Sequence, residues 1–167
     1  MGRTRMKDAV RGRLVDCRAL VFYAALLAIS AAGACRNVDV DTESYATLAE
    51  AREAGAIDRG WMPTELPQGA SDIRIAYDRR SNRRWGLFSF SEADAARFKT
   101  VLQPEELSLA GQRLDVPGRI EWWPVQLRGT LDESRIRDTG LRAFRAHQGG
   151  LIFAVNWNQR RAYYWPA

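Results

Sequence analysis

From residue 47 onward the spacing of apolar and polar positions changes period several times, and each change predicts an element. Thr47-Leu48-Ala49-Glu50 has the form of a capping box, in which the hydroxyl satisfies a free backbone donor and the carboxylate reaches back. Tyr45, Leu48, Ala49 and residues 51–57 add a stripe of small apolar side chains, so a helix is predicted to start here. Gly55 and Gly60 weaken its far end, and Pro63 and Pro67 make the following stretch a linker. Ile73, Ile75 and Tyr77 then alternate with Arg74 and Ala76, which is the period of a half-buried strand. Trp85 to Phe90 is a second apolar run, so the two predict an antiparallel hairpin with a long tip over residues 78–84. Ser91 with Asp94 marks the start of a helix carrying Ala95, Phe98 and Leu102 on one face, stopped by Pro104.

Further on, Ile120 to Leu127 reads as a strand interrupted by Pro124, which confines it to an edge or ends it near Trp123. Thr130 with Glu133 repeats the capping box and predicts a short helix through Asp138, closed by Gly140. The last 27 residues read as a three-strand meander. Its middle strand is apolar on both faces, with Leu151, Phe153, Val155 and Trp157 on one and Ile152 and Ala154 on the other, so it belongs in the centre of a sheet. The expected fold is therefore α+β: a single domain over residues 47–167, with a mostly antiparallel sheet of five or six strands and about three helices, chiefly on one face. Residues 35–46 are polar, lack an extended apolar run, and read as a tether.

Ahead of the tether the pattern is that of an export leader. The first eighteen residues are cationic, and Ala19 to Ala34 carry no charge. That run is shorter than the ~20 residues a permanent spanning helix needs, so residues 1–34 are expected to be a signal peptide, with an uncleaved anchor as the second reading. Ala32-Gly33-Ala34-Cys35 resembles a bacterial lipobox, with Ala32 where Leu is usual. Cys35 would then be lipidated and become the first mature residue. Simple cleavage after Ala34, releasing a secreted periplasmic protein, uses the same residues. Lipidation has the better physical argument, because the one other cysteine, Cys17, lies in the leader and would leave Cys35 a lone thiol in an oxidising compartment. Arg36 follows the cysteine, where Asp would signal retention at an inner membrane, so the periplasmic face of an outer membrane is favoured.

Dividing the charge at Cys35 changes its meaning. The whole chain is +5, but residues 1–34 account for +4 and residues 35–167 for only +1, so the basicity gives no support to nucleic acid as a partner. The chain has 23 Arg and only two Lys, Lys7 and Lys99. The densest charge after the leader is the hairpin tip, where Arg79, Arg80, Arg83 and Arg84 accompany a single acid, Asp78. It reads as a solvated turn or, more sharply, as a patch for phosphate or carboxylate groups on lipid, glycan or an acidic partner.

His147 is the one histidine, which excludes a two-histidine metal site, and it has no nucleophile elbow to serve. Glu105-Glu106 and Asp132-Glu133 are adjacent carboxylates, the second pair placed for capping. No phosphate loop, dinucleotide fingerprint or zinc spacing is present, so no cofactor, metal or enzymatic activity is expected. Trp122 and Trp123 are consecutive and cannot both enter one core from a regular strand, and Trp165 beside Tyr163 and Tyr164 raises the same question. Unless the second face is covered, these tryptophans form an aromatic surface for a protein or a sugar.

Tyr45 to Ile57, then Arg59-Gly60-Trp61-Met62-Pro63, Leu66-Pro67, Ala70 to Ile73, Asn82 and Trp85-Gly86 resemble an uncharacterised family of bacterial envelope proteins, the YbbD head domain. The resemblance covers about residues 45–90. It implies an envelope location and no particular chemistry. The expected function is a membrane-tethered envelope lipoprotein that binds another protein. A glycan- or anionic-lipid-binding domain is the alternative, and an enzyme using carboxylates ranks third.

Overall fold

The computed structural model describes residues 40–167, which lie within one compact unit. The leader, Cys35 and residues 36–39 lie outside the described residues. A first strand β1 (Val40–Thr47) leads into helix α1 (Leu48–Glu53), and a looped segment returns to the hairpin β2 (Ser71–Asp78) and β3 (Arg83–Ser89). Helix α2 (Glu92–Lys99) precedes β4 (Leu102–Glu106), and a long excursion holds β5 (Arg113–Leu114), a 3-10 turn (Val125–Leu127), β6 (Gly129–Thr130) and α3 (Glu133–Asp138). The meander β7 (Arg142–Ala146), β8 (Leu151–Asn156) and β9 (Arg161–Pro166) ends the chain. Seven of these strands form one antiparallel sheet in the order β1-β2-β3-β9-β8-β7-β4, and β5 and β6 form a separate ribbon. The fold is α+β with three α-helices, as the sequence predicts.

The sheet is wider than the expected five or six strands, because both of its edges come from segments that carry no strand pattern. Residues 40–46 of the expected tether belong to β1, whose register with β2 runs from Val40 opposite Asp78 to Thr47 opposite Ser71. The residues around the expected helix stop are β4, which holds Pro104 where an edge strand tolerates it. The expected strand at 120–127 does not form. Pro124 is followed by the 3-10 turn, and the Trp123 indole N–H donates to the Leu127 carbonyl at 2.8 Å, closing the segment on itself.

Helix caps follow local chemistry. The Thr47 hydroxyl accepts from Glu50 N–H, and the Glu50 carboxylate accepts from Ala46 N–H at 2.8 Å. Ser91 caps α2 through Asp94 N–H. The cap of α3 is Asp132 rather than Thr130: its carboxylate accepts from the N–H groups of Ser134 and Arg135, which suits an acid at a helix start.

Two of the three helices, α1 and α2, pack on one face and α3 on the other, and the two sides of the sheet carry separate cores. Against one face, Leu48 and Ala51 of α1, Phe98 of α2 and the loop residues Ala56, Met62, Leu66 and Ala70 cover Ile73, Ile75, Phe88, Phe153, Val155 and Tyr164. Against the other, the 107–141 excursion brings Leu109, Ile120, Trp123, Leu127, Leu131 and Ile136 onto Ala76, Trp85, Ile152, Ala154 and Trp165. Every residue of β8 is buried, which is the central position its sequence predicts.

Candidate ligand-binding site

Three of the four tip arginines, Arg79, Arg83 and Arg84, do not converge. Consecutive strand residues face opposite sides, so Arg83 and Arg84 diverge. Arg84 donates to the Gly60 carbonyl at 2.8 Å, Arg79 pairs with Asp41 of β1 at 2.6 Å, and Arg83 lines a cleft on the other face beside Trp85. Asp78 organises the turn, accepting from Arg80 N–H and from the Ser81 N–H and hydroxyl. The Ser81 hydroxyl holds the Asp78 carboxyl below its usual range. Arg80 is exposed and engaged in its own interaction.

The second face is covered, so the aromatic surface expected for an open face does not form at Trp123 and Trp165. Trp123 is 3% exposed and Trp165 4%, and Trp123 meets Trp165 and Tyr163 edge-on at 5.9 and 5.6 Å. The excursion that covers the second face buries them. Trp122 is half-buried against Trp123, and the neighbouring Val125 stands 70% exposed.

Three of the four adjacent carboxylates make structural contacts. Glu106 meets Arg137 at 2.8 Å, Glu133 meets the same guanidinium at 2.9 Å and accepts from the Ser108 hydroxyl, and Asp132 caps α3. The Ser134 and Ser108 hydroxyls lower the Asp132 and Glu133 carboxyls respectively. Among the described residues no three His, Cys, Asp or Glu side chains gather as a metal site, and no helix is long and apolar enough to cross a membrane.

Arg59-Gly60-Trp61 clamps the loop after α1 to the sheet. The Arg59 guanidinium pairs with Glu43 at 2.7 Å and lies 4.4 Å over the Trp61 ring, which stacks on Tyr77 at 5.2 Å. The Tyr45 hydroxyl donates to the same Glu43; burial first, then Glu43, raises its pKa.

Sequence reasoning missed a groove of about 570 Å³ at the β4 edge. Its apolar lining is Leu102, Pro104, Phe144 and Trp157, and Lys99, Gln103 and His147 supply the polar groups. Local folding opens it. Between Leu102, opposite Ala146, and Glu106, opposite Phe144, β4 carries more residues than β7, so the edge bulges away from its neighbour. Trp157, just past β8, wedges against Phe90, Phe98 and Phe144 at 5.7 to 6.2 Å, which fixes the ring as one wall. Lys99, in the last turn of α2, places its ammonium 5.1 Å from the centre of that ring. The exposed His147 is tied down by its backbone N–H, which donates to the Val101 carbonyl at 3.0 Å. No carboxylate lines the groove. The available signal was Lys99 itself, one of two lysines in an arginine-rich chain and the one that lies within the described residues.

A second cleft, of about 440 Å³, lies under the hairpin tip on the opposite face, where Arg83 and Arg128 are matched by Asp78 and Asp115. Arg128 is committed to the Val116 and Pro117 carbonyls, so this cleft presents balanced charge on an already bonded wall.

No curated protein and no solved structure matches the chain. The resemblance read from Tyr45 to Trp85-Gly86 is borne out: residues 39–89, which hold β1, α1, β2 and β3, match the YbbD head domain family, and every residue of the groove lies beyond the matched segment.

Proposed function

We propose that this chain is a membrane-tethered module of the bacterial envelope that binds a ligand and performs no chemistry on it. Cys35 carries the anchor, at the periplasmic face of an outer membrane, and the ligand sits in the groove between Phe144 and Trp157. The observation that carries this reading is the lining of the groove: concave, apolar, of the size of a small-molecule site, and holding one cation with no carboxylate to partner His147 as an acid-base pair. The similarity to the YbbD head domain supports the envelope location.

A protein partner is the second reading, and Val125 favours it, as an exposed apolar side chain beside the half-buried Trp122. Addition of a partner strand at β4 is disfavoured, because Pro104 lacks a donor and the bulge breaks the regular ladder. The test places a photoreactive phenylalanine analogue at Gln103 or at Val125 of the lipidated chain in its native envelope. Crosslinks from Gln103 that vanish on Trp157→Ala support the groove. Crosslinks to protein from Val125 alone would replace it with the second reading. Loss of membrane attachment in Cys35→Ser, with acyl groups found on the wild-type cysteine, checks the anchor.

A further inference from the structure

We infer that the groove at the β4 edge takes a single-chain alkyl carboxylate, a fatty acid, with its carboxylate at Lys99 and its chain along Leu102, Pro104, Phe144 and Trp157. The inference rests on the ligand-binding reading above and names the ligand class of the same site. Its first ground is charge. The Lys99 ammonium has no carboxylate within ion-pair distance among the described residues, and its recorded side-chain neighbour is the face of Trp157. Several cations of the domain are matched, Arg59 by Glu43, Arg79 by Asp41, Arg113 by Asp115 and Arg137 by Glu106 and Glu133. Others, such as Arg97, Arg119 and Arg145, are exposed without a carboxylate partner among the described residues, and Lys99 differs from these in standing at an apolar groove. An apolar groove that holds an unmatched ammonium complements a molecule that is anionic at one end and apolar along the rest.

The second ground is the distribution of polar groups. A carboxylate offers two oxygens as acceptors, and Gln103 and His147 line the same groove with side-chain N–H groups able to donate to the oxygen that Lys99 does not take. The apolar lining continues beyond them as side chains of two strands, Leu102 and Pro104 from β4 and Phe144 from β7, closed by the Trp157 ring. A volume of about 570 Å³ lies within the range of one small ligand, which points to one chain rather than a two-chain lipid.

The test uses the full chain in nanodiscs of zwitterionic phospholipid, with empty nanodiscs as background and a twelve-carbon fatty acid carrying a photoreactive diazirine as the probe. Labelled peptides are mapped by mass spectrometry, and laurate and dodecanol compete. The expected result is labelling of peptides containing residues 99–104 or 144–157, displaced by laurate at roughly one-tenth the concentration of dodecanol or less, since charge-assisted contacts add to an otherwise equal chain. From decanoate to laurate each added methylene should tighten competition about fourfold. Lys99→Gln should abolish the preference for laurate over dodecanol while sparing the fold, because the side chain is exposed. Equal displacement by the alcohol, or an unchanged preference in Lys99→Gln, overturns the anionic ligand while leaving groove binding intact. Absence of groove labelling, with Gln103 crosslinking to a protein, overturns the fatty acid and keeps the module a binder. Absence of both overturns the two readings together.

Discussion

Gly86 and Tyr164 face each other across the β3–β9 pairing, and this contact allows a sharp test of the fold. A Cβ built on Gly86 would lie under 3.0 Å from the Cζ, Cε1 and Oη atoms of the Tyr164 ring. That ring is 0% exposed and is flanked by Phe153 at 5.7 Å and Phe88 at 6.4 Å, so it has nowhere to retreat. Overpacking of this kind costs about 1–3 kcal/mol, and a caged ring on two inner strands places Gly86→Ala at the top of that range, about 3 kcal/mol. Against a typical domain stability of about 5–15 kcal/mol this is a large share. Urea denaturation followed by tryptophan fluorescence would show a lower midpoint with an unchanged slope. Tyr164→Ala alone should cost about 3–5 kcal/mol by opening a cavity. On that background Gly86→Ala has no ring to meet and should cost less than about 1 kcal/mol, because alanine also restricts the unfolded chain. The cycle therefore predicts a coupling of about 2 kcal/mol or more. An equal cost of Gly86→Ala on both backgrounds, or a single-variant cost below about 0.5 kcal/mol, would refute the close approach.

Three further outcomes follow from buried and capping groups. The Tyr164 hydroxyl is buried without a partner and burial raises its pKa, so the unfolded chain ionises first and stability should fall as pH climbs past about 10; Tyr164→Phe should lose that alkaline limb in urea titrations and match or exceed wild-type stability by up to ~1 kcal/mol. Asp78, Asp132 and Glu133 have depressed pKa values, so their contribution is complete above the ordinary carboxylate range near 4 and is lost as pH falls through the lower folded values. The urea midpoint measured from pH 7 to 2 should therefore drop in acid, less steeply in Asp78→Asn, and a parallel drop in that variant would exclude the tip as a contributor. The buried Asn156 donates to the Thr139 carbonyl at 2.8 Å and accepts from Gln159 N–H at 2.9 Å; Asn156→Ala should cost about 2 kcal/mol, and a thermal midpoint unchanged within error would count against it.

The elements legible in the sequence are those whose signal is local or whose burial is symmetric. Thr47 and Ser91 announce helix starts because a hydroxyl must satisfy donors within three residues. The hairpin and the doubly apolar β8 announce themselves by period. The edges were illegible for the complementary reason: β1 and β4 have one hydrogen-bonded neighbour each, and outward polar residues cost them nothing, so Asp41, Glu43, Glu105 and Glu106 erase the alternation. Residues 120–127 misled in the opposite direction. Their apolar side chains bury against the sheet from a loop, and periodicity cannot separate a strand in a sheet from a loop lying on one. The groove escaped notice because its walls come from α2, β4, β7 and the residue after β8, which are brought together only by the order β8-β7-β4.

The covering of both faces also decides where a ligand can be received. An antiparallel sheet commonly leaves one face to solvent, and here the 107–141 excursion removes it, turning Trp123 and Trp165 from a candidate surface into core. The edges remain, and they are not equivalent. β1 is held by Asp41 with Arg79 and by Glu43 with Arg59, so its charged side chains are already paired and its neighbours closed down. β4 bulges and leaves a pocket between itself, Phe144 and Trp157. On the proposed reading the ligand is received at β4, the edge opposite β1 and six strand spacings, roughly 29 Å, across the sheet.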